Sequence, residues 1–374
     1  MSNTRRAWPW IGLAVAGAAF ALDFWRRREQ FGIDFHTYMA AATVGLQHGW
    51  THVYDQPLVG VVQKQLVPTQ WTQPFLSPPT VAWLVAPLAA LPYWVAYDVW
   101  AAFTLAALVA ALAWSGISTG IAGWIAVVAA LAPWWVLHAV ALGQVVPLVA
   151  AGMVVAWRLL REDKQIAAGL VLSLIFLKPN TAILVPLALV AAGRLRAFTA
   201  WLGAGVVIAL AAAALLGAHG VSAYVNQLLA PLPGGADSLT LKGAFGATGI
   251  VAAVLRAAIV LVVVVTAFKL RGSAGLVMPV AIVGTLVVAP YLHASDLCLL
   301  SAAAWMVWEE RAGIAWRAGI AAAWVLASPF VFLAGLGPGL NRWPLIECLL
   351  LLALVVAAFR PLTSTADLRT RAPA

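Results

Sequence analysis

An aspartate followed four residues later by a tyrosine, a lysine just ahead of a proline, and a histidine three residues before an aspartate are the groups here whose types and spacing could do chemistry. Asp34 and Tyr38, in GIDFHTYMAAATVGLQHGWTHVYD, would share one face of a helix. A carboxylate at that position serves either as an N-cap or as a general base that takes a proton from a hydroxyl. His36, between them, either packs or hydrogen-bonds to the same site. Lys178 ends an apolar run before Pro179, where its ammonium could snorkel to headgroups or pair with a phosphate. His293 and Asp296 in PYLHASDL fit a packed histidine and an N-cap when each is taken alone, and an anion site when taken together. Gln144 in ALGQVVP either satisfies neighbouring backbone or joins such a site, and Arg342 in GLNRWP either anchors an interface or binds an anion.

The elements that must position these groups are membrane elements. The 374 residues are 64% hydrophobic and only 9% charged, with a mean hydropathy of +0.95. Water-soluble domains carry about 25% charged residues, so this composition excludes them. No polar stretch is long enough to fold alone, and residues 1–374 read as one integral membrane domain. The net charge of +9 does not imply nucleic acid, because the 22 Lys and Arg lie singly or in small groups between apolar runs rather than on one basic face. Cys298 and Cys348 sit in apolar segments, which excludes a disulfide scaffold or a cysteine zinc site. The sequence lacks a phosphate-cradling glycine loop, HExxH and GxSxG. No metal cluster and no cofactor is expected. An enzyme of this kind needs a substrate already activated and already in the bilayer, such as a lipid carrier.

Apolar runs long enough to cross, or to pack inside a bundle, predict an all-α protein with about twelve spans. Their limits are 7–25, 94–114, 117–138, 143–160, 165–178, 180–193, 197–217, 248–268, 273–290, 296–308, 312–335 and 343–359. The shortness of 165–178 and 180–193 around Pro179 predicts a broken or re-entrant helix. With a cytoplasmic N-terminus, the inner loops and the tail at 360–374 collect fourteen of the 22 basic residues, among them Arg158, Arg161, Lys164 and Arg194. The triplet Arg26, Arg27 and Arg28 votes the other way. Residues 26–93 then form one long outer loop, with amphipathic interfacial helices at 36–49 and 53–66 and a further short one at 79–92. On the outer side stand Asp23, Asp34, His36, Asp55, Asp98, His138, Gln144, Lys178, His293, Asp296, Arg342 and Glu347. An ionisable group so placed is a functional candidate, since burying it in lipid is costly.

The order of these motifs resembles glycosyltransferase family 87, polytopic enzymes of the GT-C superfamily that use polyprenyl-phosphate sugars. The matching pieces are Asp34 to Tyr38 with Gly49 and Tyr54-Asp55, the Ser77-Pro78-Pro79 turn, Pro87-Leu88 to Leu91-Pro92, Gly143-Gln144, Ala168-Gly169 leading to Lys178-Pro179, and His293 with Asp296-Leu297. They run from about residue 30 to 300. Ser77 and Ser295 stand where that family commonly has an aromatic and a tyrosine. The resemblance implies a GT-C-like bundle in the plasma membrane and Asp34 as catalytic base in the first outer loop. It further implies transfer of a hexose, mannose above all, to a lipid or cell-envelope glycan acceptor. Lys178, His293 and Arg342 would then meet the donor phosphate, with His36, Tyr38, Gln144 and Asp296 in support. A transporter or lipid-linked sugar flippase, and a scaffold without activity, are the competing readings.

Overall fold

A computed structural model describes residues 31–116, 120–230, 239–271, 275–310, 313–329 and 342–359. The described residues are helical throughout, without strands. In chain order the α-helices are α1 Ile33–His48, α2 Gln56–Leu66, α3 Pro79–Val85, α4 Tyr93–Ser115, α5 Gly120–Leu131, α6 Trp134–Leu142, α7 Val146–Arg161 and α8 Gln165–Val171. They continue as α9 Leu184–Ala191, α10 Leu195–Leu229, α11 Leu241–Phe245, α12 Gly249–Lys269, α13 Val277–Val288, α14 Cys298–Glu310, α15 Ile314–Leu326 and α16 Trp343–Phe359. Short 3-10 turns at Leu172–Leu177, Pro179–Thr181 and Ala294–Leu297 interrupt the chain where the candidate residues lie.

Three described helices, α4, α10 and α12, are long and apolar enough to cross a bilayer. The α5–α6 pair, bent by 68°, would make a fourth. The expectation of about twelve spans is thus met for three or four; the run at 7–25 lies outside the described residues, as do Asp23 and the tail at 360–374. Breakers explain the difference. Pro133 divides the run expected at 117–138, and Gly143 in the left-handed region ends α6. Helices such as α13, buried along nearly all its length, owe their apolar character to the protein interior, and so an apolar run overstates span length.

The first loop differs from expectation in a second way. Helices do form at 33–48 and 56–66, but α1 is not an amphipathic surface helix. Only Asp34, Thr43 and the last turn escape full burial, because α2, α3 and the end of α6 close around it. The 79–92 segment does form a short, non-crossing pair, α3 plus a 3-10 turn at Ala86–Ala90.

These helices give the bundle two polar ends. At one end Arg158 pairs with Glu162 at 2.7 Å, Lys164 with Glu162 at 2.8 Å, Arg194 with Asp163 at 3.1 Å and Arg161 with Glu310 at 3.6 Å. The Arg194–Asp163 pair brings both limbs of the 164–193 segment together, so this segment is a hairpin whose tip is Lys178-Pro179. Helix α7, of 16 residues, runs from beside Gln144 to Arg161, a rise of about 24 Å at 1.5 Å per residue. Helix α14 likewise separates Asp296 from Glu310. Gln144, Lys178 and Asp296 therefore gather at the opposite end, under α1.

Candidate active site

The site begins with how α1 is held. Gly32, with φ of 66°, starts the helix, donates its N–H to Ala141 O at 2.8 Å and accepts from the Tyr93 hydroxyl at 2.8 Å. Tyr97 donates to the same Ala141 carbonyl at 2.8 Å, and the Trp100 indole to Gly143 O at 2.8 Å. A side chain on Gly143 would place its Cβ 2.6 Å from that of Phe35, and its φ of 71° is one that L residues avoid. Glycine there lets α1 settle against the α6–α7 turn and sets Gln144 beside the first turn of α1.

Gln144 is the hub. Its Nε2 donates to Asp34 Oδ2 at 2.6 Å, while its Oε1 accepts from the Tyr38 hydroxyl at 3.0 Å and from Lys178 Nζ at 3.1 Å. The i, i+4 spacing of Asp34 and Tyr38 thus allows both to meet one amide, and the oxygen's two partners fix which way that amide points. Lys178 Nζ also pairs with Asp296 Oδ1 at 2.6 Å, with side chains only 12% and 0% exposed. Asp296 Oδ2 accepts the His293 backbone N–H at 2.9 Å, tying the 289–297 loop to the hairpin tip. Removing one partner of a buried pair typically costs about 3–5 kcal/mol, whereas replacing both by apolar groups is often neutral. Such a pair is therefore poor insurance for stability and stronger evidence of a chemical role.

Asp34 is half-buried, and burial raises its carboxyl above the ordinary aspartate range, opposed by the Lys178 charge and the Gln144 hydrogen bond. The result is a carboxylate more basic than usual but still held beside a cation, which suits a proton acceptor. Tyr38 is pushed the other way from ionisation: burial, then the Asp34 charge, keep its phenol protonated. It can donate to Gln144 but not act as a base.

Asp34, Tyr38, Gln144, Lys178 and Asp296 are brought into one network, with His293 joined through its backbone, where burial and then the Lys178 charge hold its imidazole below the ordinary histidine range. The N-cap alternative for Asp34 does not describe it, since Gly32 holds that position and the carboxylate turns to Gln144. His36 is not in the network. It is fully buried, its Nε2 hydrogen-bonded to Gln63 O at 2.7 Å, and its ring lies edge-on to Tyr93 at 5.5 Å. Arg342 is exposed one residue before α16 and also stands outside it. Asp55 caps α2 through Leu58 N at 3.2 Å.

Reading by residue type overlooked Tyr291 and the aromatic run beside Tyr38. Tyr291 lies within electrostatic reach of Asp296 and Tyr38, and PYLHASDL already contained it. Phe75 stacks on Tyr54 at 5.4 Å, and Tyr54 on Tyr224 at 4.8 Å, which joins the first loop to the C-terminal part of α10 beyond its kink at Gly217. The Tyr54–Tyr224 contact spans 170 positions of sequence and left no local signal.

The described residues thus form a helical bundle with a polar network of Asp34, Tyr38, Gln144, Lys178 and Asp296 at one end. The profile of glycosyltransferase family 87 matches residues 75–329. The chain belongs to this family and is a membrane glycosyltransferase. No curated protein matches it, and neither does any solved structure.

Proposed function

We propose that this chain transfers a hexose, mannose in our reading, from a polyprenyl-phosphate donor to a lipid or cell-envelope glycan acceptor on the extracytoplasmic side of the plasma membrane. One observation carries the reading: a single glutamine amide joins a proton acceptor, Asp34, to a cation, Lys178. Asp34 takes the proton from the acceptor hydroxyl, whose oxygen attacks the anomeric carbon as the bond to the phosphate breaks on the opposite face. The centre inverts. Lys178, supported by Asp296 and joined by His293, stabilises the phosphate as it leaves. Arg342 is available to that phosphate only from the exposed start of α16. No energy beyond the sugar–phosphate bond is required.

The side of the membrane rests on the basic residues. The end with Arg158, Arg161, Lys164 and Arg194 fits the cytoplasm by the positive-inside rule, which turns the Asp34 end outward. That placement, and a helical hairpin broken at Lys178-Pro179, suit the GT-C-like architecture that the sequence resembles. A flippase would be expected to hold its polar groups near mid-bilayer, whereas these gather at one end. The test is incubation of the purified, reconstituted protein with radiolabelled polyprenyl-phosphate mannose and a membrane lipid extract. A labelled glycolipid supports the proposal. Movement of intact donor between leaflets without product would replace it with transport.

A further inference from the structure

Two residues past Lys178 lies a polar group that the proposed mechanism leaves unused. Asn180 sits in the 3-10 turn Pro179–Thr181, which is fastened to the lysine by the Thr181 hydroxyl donating to Lys178 O at 2.8 Å. Its Nδ2 donates to Tyr291 O at 3.4 Å. A backbone carbonyl can only accept, so that contact fixes the amide orientation and leaves Oδ1 as the free atom. Oδ1 is buried and has no hydrogen-bond partner, although the residue itself is only half-buried. At 3.4 Å the bond to Tyr291 is weak, so a ligand bound beside Lys178 has little to displace in reaching the amide.

An orphaned carbonyl oxygen is selective in what it can take. It cannot bond a phosphate oxygen, which has no hydrogen to give at neutral pH, but it can accept from a sugar hydroxyl. Its neighbours divide the ligand in the same way: the cation at Lys178 suits the phosphate, and Asn180, on the same rigid turn, suits the sugar next to that phosphate. We infer that Asn180 Oδ1 accepts a hydrogen bond from one hydroxyl of the donor hexose and so helps determine which sugar is transferred. This rests on the proposed glycosyl transfer and adds to it a contact to the sugar itself.

The test pairs protein variants with trimmed donors. Transfer is measured for the wild type, Asn180→Ala and Asn180→Asp with polyprenyl-phosphate mannose and with analogues lacking one hydroxyl at a time. The wild type should lose about tenfold to a hundredfold in kcat/KM with one particular deoxy donor, the range for a buried polar group left unpaired. Asn180→Ala should show a similar loss with the complete donor and no further loss with that same analogue. Asn180→Asp, which keeps an acceptor at the same reach, should still discriminate. Equal losses for Asn180→Ala across every donor, or no loss at all, would overturn the inference while leaving transfer intact. An inactive wild type would instead remove the reading beneath it.

Discussion

The two polar ends of this bundle hold similar residue types and use them in opposite ways. At the Arg158–Arg194 end two of the four pairs are local, Arg158–Glu162 at i, i+4 and Lys164–Glu162 at i, i+2, all are at least partly exposed, and Lys164 and Asp163 are 60% and 75% exposed. Pairs of that kind are screened and contribute about 0–1 kcal/mol each. At the Asp34 end the partners come from α1, the α6–α7 turn, the hairpin tip and the loop before α14, and Asp296 is fully enclosed. Enclosure there costs desolvation that an ordinary fold has no reason to bear. The lesson is that membership in a long-range buried network, rather than charge itself, is what sets the groups proposed for chemistry apart from those proposed to mark a membrane face.

The contrast can be broken most severely at its acid. Asp34→Asn keeps the shape and loses the base; about a thousandfold or greater loss of transfer is expected from general-base contributions of 10²–10⁴, with the protein still folded in detergent. Turnover within tenfold of wild type would remove Asp34 from the reaction. Next in size is Lys178→Met, with an expected loss of about a hundredfold in kcat/KM for the lipid-linked donor. This variant also tests the electrostatics. Because burial raises the Asp34 carboxyl, the acidic limb of the wild-type pH profile should lie above the ordinary aspartate value of about 3.9. The Lys178 charge works against that rise, so its removal should move the limb to still higher pH. A limb that stays in place would uncouple the two groups. The smallest effect is expected at the other end: Glu162→Gln, which breaks two exposed pairs, should change transfer by less than about twofold. A large loss there would erase the distinction between the ends.

Much of the site was legible because it depends on local spacing or on a polar residue standing where lipid-compatible residues should be. Asp34 and Tyr38 share a face by helical period alone, and Lys178 and Gln144 stand out within apolar runs. That both converge on one amide was not legible, since Gln144 lies 110 positions from Asp34 and 34 from Lys178. The same limit left His36 open between packing and the site, since its partner Gln63 sits on a neighbouring helix. Helical class and break points followed from hydrophobicity and proline. Span length did not, because α13 and α14 are apolar for the sake of the bundle interior, and α1 is sealed by a loop whose folding back no periodicity reveals.

Orientation is the point on which the proposed chemistry stands, and it can be measured directly. In a background with Cys298 and Cys348 replaced, single thiols are introduced at Thr69 and at Lys164. Thr69 is exposed next to Gln70, whose amide donates to Phe31 O at 2.8 Å beside the start of α1; Lys164 is exposed at the other end. A membrane-impermeant maleimide added to intact cells should label Thr69→Cys at once and Lys164→Cys only after permeabilisation. The reverse pattern would put Asp34 at the cytoplasmic surface and contradict transfer on the outer side.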